Sequence, residues 1–258
     1  MASCRPALGG EAVRLTLDRI GHAFLGRAVF EDLSLCLAEG EVVALVGPSG
    51  CGKTTVLQIA SGLIDPLRGR VQRHYRRQAI VFQEPRLLPW MTARDNIAYG
   101  LAVAGVPLGR RRESAERRAA EVGLHRRDLD KYPAELSGGM RQRAAVARAL
   151  AIDPEMIYFD EPFTAVDVGL RRVLQDLVIG ASAREKFSAL FVTHDLSEAV
   201  RLAHRIVVLS GRQEGLVAER VLDGAPGSRD DGAVFETVQD WAKDPAFADL
   251  FDGGREAA

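Results

Sequence analysis

The chain reads as an α/β protein organised on a mostly parallel sheet, and three observations support this. Short apolar runs rich in β-branched residues recur along it, segments of helical spacing fall between them, and one run passes through a glycine-rich turn directly into a helix. The 258 residues suffice for one large domain with a subdomain, or for two compact units, without metal or disulfide staples.

Taken in order, Glu41-Val42-Val43-Ala44-Leu45-Val46 is a nearly unbroken apolar run between Gly40 and Gly47, as expected of a buried strand. From Lys53 to Leu63, the positions Val56, Leu57, Ile59, Ala60 and Leu63 follow helical spacing. Further buried strands are predicted at Ala79–Phe82, Met156–Phe159, Ala189–Val192 and Ile206–Leu209. Between Gln83 and Ser137 the character changes: Thr92–Ala104 and Arg110–Gly123 are predicted helical, no strand is evident, and the segment reads as an inserted helical subdomain. Arg110-Arg111-Arg112 is followed by Glu113, Glu116 and Glu121 at helical spacings, which suits a solvated helix face better than an anion site. Asp223 to Gly232 is a linker by its Gly, Pro and Asp content, and Val234–Phe251 has helical potential.

Composition excludes several classes. Lys and Arg total 34 against 35 Asp and Glu, so no positive excess argues for wrapping a nucleic acid. Cys4, Cys36 and Cys51 are odd in number and widely spaced, giving neither a disulfide framework nor a zinc pattern. No apolar stretch is long enough to cross a bilayer and the first residues lack the apolar core of a secretory signal, so the expected location is cytoplasmic.

Gly47-Pro48-Ser49-Gly50-Cys51-Gly52-Lys53-Thr54-Thr55 fits G-x-x-x-x-G-K-[ST] between a predicted strand and a predicted helix. Glycines let successive backbone N–H groups turn inward around a polyphosphate, and the helix presents its positive end to the same charge. Lys53 is suited to the β- and γ-phosphates of ATP and the Thr54 hydroxyl to Mg²⁺. Asp160-Glu161 closes an apolar strand at its carboxyl end, where ligands bind in open α/β sheets. Asp160 is suited to the metal and Glu161 to polarising an attacking water. His194 follows the strand ending near Thr193 and could contact the γ-phosphate or orient that water. His22, His74, His125 and His204 read as structural.

Leu136-Ser137-Gly138-Gly139-Met140-Arg141-Gln142-Arg143 resembles the signature motif of ABC ATPases, a second phosphate-binding helix start. The resemblance spans roughly residues 13–212 and takes in the cradle, Gln83 after a strand, the signature, 156–161, Asp167 in Thr164-Ala165-Val166-Asp167, and His194, all in the family's order. It implies an ATPase cassette with an N-terminal antiparallel β part and an inserted helical subdomain. The core would occupy 1–83 and 136–224, the helical subdomain 84–135, and a tail 225–258. It also implies a homodimer sandwiching two ATPs, the cradle of one copy facing Ser137, Gly138 and Gly139 of the other. Gln83 would then sense metal and water, and Asp167 would touch the partner. Phe24 falls where the family stacks an aromatic ring on adenine, with a core phenylalanine as the competing explanation.

Val81 to Met91, followed by Asp95-Asn96, is similar to importer subunits for nitrate, sulfonates and taurine. Leu87, Leu88, Trp90 and Met91 would offer an apolar groove to a permease helix, or pack the subdomain core, or both. The resemblance thus implies a motor on the inner face of the cell membrane, working with integral permease subunits and indirectly with a solute-binding protein. The sequence differs from the family pattern in reading Thr-Ala-Val-Asp for the commoner Ser-Ala-Leu-Asp, and it drifts from Gly211 onward. A soluble ABC ATPase acting on DNA or ribosomes is the competing class. A P-loop kinase or GTPase ranks last because it leaves 137–143 unexplained.

Overall fold

The structure is a computed structural model and describes residues 12–164, 166, 168–210, 215–244 and 247. In chain order its elements begin with β1 (Val13–Phe24), β2 (Arg27–Ala38), β3 (Val42–Val46), α1 (Lys53–Ser61), β4 (Arg68–Arg73) and β5 (Gln78–Val81). Next come α2 (Ala93–Val103), α3 (Leu108–Glu121), α4 (Gly138–Leu150), β6 (Met156–Asp160) and α5 (Val168–Glu185). The chain continues with β7 (Ser188–Val192), α6 (Leu196–Leu202), β8 (Arg205–Leu209), β9 (Leu216–Val221) and α7 (Asp231–Trp241). It divides into two compact units, Met1–Tyr75 with Phe187–Ala258, and Arg76–Lys186.

In the first unit β3, β7 and β8 are buried at every position, the pattern of strands covered on both faces, and they pair in parallel. β9 closes the order β7-β3-β8-β9 as an antiparallel edge. A separate antiparallel sheet, β2-β1-β4, supplies the expected N-terminal β part. Its β1–β2 hairpin turns at Leu25 (φ 50°) and Gly26 (φ 77°), the pair of positive φ angles that suits the twist of a two-residue hairpin loop. α7 was within the tail predicted to have helical potential, and it is docked. Val234 and Phe247 join Ala44, Val46, Val200, Ile206 and Val208 in one apolar cluster, and Trp241 stacks on Phe247 at 4.9 Å.

Two buried ions hold this unit together. Arg205, 1% exposed on β8, donates to Glu41, which is wholly buried, through Nε at 2.8 Å and Nη2 at 3.2 Å. A third contact reaches Glu219 on β9 at 2.9 Å, so the guanidinium ties the start of β3 to the edge strand. Glu41 also accepts from the Ala38 N–H at 2.8 Å. His204 has the structural role expected of it, its Nδ1 accepting from the Val42 N–H at 3.0 Å. Cys36 is disulfide-bonded, against the expectation drawn from an odd cysteine count, because spacing along a chain carries no information on which thiols a fold brings within bonding distance.

The second unit pairs β5 and β6 in parallel and surrounds α4 with α2 and α3. The helices expected after Gln83 are those found. α2 starts at Thr92, whose hydroxyl accepts from the Asp95 N–H at 3.2 Å, and Arg94 pairs with Glu116 and, at 3.0 Å, with Asp130. Arg118, 3% exposed on α3, joins Glu121 at 2.8 Å, Asp153 at 2.6 Å and Glu185, linking three segments. Burial disfavours its charge, but the bonds to Glu185 and Glu121 outweigh that and raise its pKa above the ordinary arginine value.

Replacing Arg205 by Met removes the partner of a fully buried carboxylate. Urea denaturation should show a loss of about 3–5 kcal/mol, the range for an uncompensated buried charge; a loss within about 0.5 kcal/mol, as at ordinary surface sites, would refute this reading of the pair.

Candidate nucleotide site

The site residues divide between the units. In the first, β3 leads into the loop 47–52 and then α1, the strand-turn-helix context that the motif needs. Lys53 is 5% exposed and its Nζ donates to the carbonyls of Gly47 at 2.7 Å and Pro48 at 2.9 Å, so the ammonium lies inside the curl of the loop. Two glycines are sterically required here. A Cβ at Gly47 would lie 2.6 Å from Cys51 Sγ and 2.9 Å from the Leu209 carbonyl, and Gly52 combines φ 99° with a clash against Val29 at 2.6 Å. Thr54 is exposed at the first turn of α1, whereas Thr55 is buried.

Register brings His194 to the same edge. β3 and β7 pair in parallel with Leu45 opposite Val192, so Gly47 and His194 each lie two residues beyond that pair. His194 is exposed, and the turn beneath it is fixed by Thr193, whose hydroxyl donates to Glu198 at 2.8 Å and accepts from the Asp195 N–H at 3.0 Å. Phe24 ends β1 and is 51% exposed, which rules out the core alternative; its ring meets His22 edge-on at 4.7 Å. The hairpin that carries it packs on the cradle through Val29 and Phe30 against Gly52.

The second unit repeats the arrangement. β5 and β6 pair in parallel with Val81 opposite Phe159, so Gln83 and Glu161 each stand two residues past that pair, with Asp160 between Phe159 and Glu161. Glu161 has a positive φ of 45°, a strained backbone for a residue with a Cβ, and accepts at Oε2 from the Thr164 hydroxyl at 3.1 Å. A cavity of about 840 Å³ is lined by Gln83, Asp160, Gly138 and Gln142 among others. Ser137 is the N-cap of α4, its hydroxyl accepting from the Met140 N–H at 3.2 Å, and Ser137 and Gly138 are exposed at the helix start. Asp167 and Ala165 lie outside the described residues, as do 211–214.

Trp90 is 70% exposed and so does not pack the subdomain core, while Leu87, Leu88 and Met91 are partly buried beside it. The loop that carries them is held by Asn96. Fully buried, Asn96 accepts from the Leu88 N–H at 2.7 Å and donates to the carbonyls of Leu88, Met91 and Thr92 at 3.0–3.1 Å. Neither this role of Asn96 nor a role for Gln142 is evident from the sequence. The available signal was a polar residue on the face of α4 otherwise made by Ala145, Val146 and Ala149.

Among the described residues no group of three or more His, Cys, Asp or Glu converges as a metal cage. Asp160 offers a single carboxylate at a strand end, a sparse donor of the kind that suits a cation held largely by phosphate oxygens and water.

The fold and the loop 47–55 define a P-loop ATPase cassette. The ABC transporter family profile matches residues 30–164. The aliphatic sulfonates import ATP-binding protein SsuB 1 of Pseudomonas savastanoi pv. phaseolicola is 42% identical over 218 residues, covering 84% of this chain and 88% of that protein. SsuB 2 of Burkholderia cenocepacia is 43% identical over 218 residues, covering 81% of this chain and 78% of that protein. Among solved structures, the ATP-binding cassette MJ0796, in a dimer bound to ADP and Pi, superposes with a TM-score of 0.73 at 28% identity, covering 81% of this chain and 99% of that one. The chain therefore belongs to the ABC transporter family, and it is an ATP-binding, ATP-hydrolysing member.

Two outcomes follow. Asn96→Ala removes four hydrogen bonds and should cost about 2–4 kcal/mol at roughly 1 kcal/mol per bond, with faster tryptic cleavage at Arg86; an unchanged digest would show that the loop is held otherwise. Burial raises the Cys51 thiol pKa against the opposing charge of Lys53. Alkylation by iodoacetamide at pH 8, followed by peptide mass mapping, should therefore run at least about tenfold slower than in a short peptide, and equal rates would contradict it.

Proposed function

We propose that this chain is the ATP-hydrolysing motor of an importer for small sulfonate-like solutes. The observation that carries the reading is the two-part site: a cradle with His194 at one parallel-strand edge, and Gln83, Asp160 and Glu161 at another. In this reading the loop 47–52 and Lys53 bind the polyphosphate through backbone N–H groups and charge, and Phe24 stacks on adenine. Thr54, Asp160 and Gln83 would hold Mg²⁺ and its waters, the ion supplying charge to the phosphate oxygens. Glu161 accepts a proton from the attacking water, and His194 contacts the γ-phosphate.

Two copies act together, the cradle of each with Ser137, Gly138 and Gly139 of the other, and Asp167 at the contact between them. The dimeric MJ0796 cassette supports this assembly. The exposed Trp90, on a loop pinned by Asn96, is suited to an apolar permease surface and so to a place on the inner face of the cell membrane. A solute-binding protein would meet the permease rather than this chain. None of the helices described is long and apolar enough to cross a membrane. Relatives named for sulfonate import favour this reading over a soluble ATPase of DNA or ribosome metabolism.

Glu161→Gln should bind ATP with affinity within about twofold of wild type and lose on the order of 100-fold or more in turnover, as expected when a general base is removed. With ATP present it should elute as a stable dimer on size exclusion. Wild-type turnover by this variant would displace Glu161 from its role.

A further inference from the structure

A glutamine outside the assigned catalytic set lies directly beneath the turn that carries Glu161. Gln142 sits on α4 one turn after the signature residues, is 2% exposed, and donates from Nε2 to the Pro162 carbonyl at 2.7 Å. The same amide nitrogen lies 3.5 Å from the Phe82 carbonyl, the residue before Gln83. One buried amide therefore touches both the segment that leads into Gln83 and the peptide that follows Glu161.

That turn needs holding. Glu161 has φ 45°, a left-handed conformation disfavoured for a residue with a Cβ, and such strain persists only where the surroundings over-determine it. Three hydrogen bonds bear on it. The Thr164 N–H donates to the Glu161 carbonyl at 3.3 Å, the Thr164 hydroxyl to the Glu161 carboxylate at 3.1 Å, and Gln142 to the next carbonyl along. Of these only Gln142 comes from another element, and its donor is the best buried. Without it the Pro162 carbonyl would be left in a buried place lacking its side-chain donor, and the turn could relax towards an ordinary φ by moving the carboxylate.

We propose that Gln142 is a positioning residue for hydrolysis, fixing the strained 161–162 turn so that the Glu161 carboxylate stays aimed at the attacking water. Because α4 begins at Ser137 and Gly138, the group that orients Glu161 is carried on the same rigid helix as the signature. Any displacement of that helix start is thereby passed to the position of the base. The proposal rests on Glu161 being the general base.

The test uses the full-length chain with Gln142→Met, which keeps side-chain length and loses the donor, and Gln142→Asn, which keeps the amide one methylene short of reach. Both are made in the wild-type and Glu161→Gln backgrounds. In the wild-type background kcat should fall about tenfold to a hundredfold, the scale on which a misplacement of about 1 Å acts. The KM for ATP and the Kd for a fluorescent ATP analogue should stay within about twofold. In the Glu161→Gln background either change should add no further loss, since the group being positioned is already gone. Turnover within twofold of wild type for the Asn variant would overturn the proposal. So would an equal fractional loss in both backgrounds, or a fall in kcat matched by an equal loss of nucleotide affinity. Wild-type turnover by Glu161→Gln alone would instead remove the assignment of the base, a failure distinguishable from that of Gln142.

Discussion

Parallel strand pairing is the constraint on which the rest of this molecule depends. A parallel pair points both carboxyl ends the same way, so the loops that leave them emerge at one edge, where ligands bind in α/β sheets. β3 beside β7 sends out the loop 47–52 and His194, and β5 beside β6 sends out Gln83 and Asp160-Glu161. In both pairs the residues concerned stand two positions past the last matched pair, Leu45 with Val192 and Val81 with Phe159. A slip of one residue would turn each buried side chain to the opposite face, and covering both faces with helices makes such a slip costly.

His194 and Trp90 are exposed and Glu161 is partly so, whereas the groups that hold their turns are buried. His194 stands on a turn fixed by Thr193, which is 1% exposed and bonded to Glu198. Trp90 rides on a loop fixed by the wholly buried Asn96. Glu161 rests on a turn fixed by Gln142. Each support sits in an element whose own place is set by apolar packing, and a hydrogen bond there is geometrically strict because an unmade one is expensive in the interior. Buried arginines act on a larger scale in the same way: Arg205 ties β3 and β9, and Arg118 ties α3 to the segments at 153 and 185.

Strands of unbroken apolar character could be read directly, because burial on both faces leaves a run such as Val42–Val46 with no polar residue. The half-exposed strands could not. β1, β2 and β4 carry Asp18, Glu31, Asp32 and six arginines among their positions, and β9 alternates exposed Val217, Glu219 and Val221 with inward Ala218, so their apolar signal is halved. Phe24 shows the same limit at the level of one residue. A phenylalanine at the end of a strand is equally a core or a surface group until the hairpin's packing is known.

The phosphate-binding loop, the carboxylates after Phe159, the signature and the family were all determined by short contiguous stretches, because backbone curl, charge and helix start depend on neighbours along the chain. Tertiary structure alone decided the contacts between residues far apart in sequence. Examples are Arg205 on Glu41, a separation of 164 residues, Gln142 on Pro162, the docking of Phe247 into the core, and the disulfide at Cys36. The physical reason is that such contacts are selected by burial and shape after the chain has closed on itself, and nothing local in the sequence encodes which partner will be within reach.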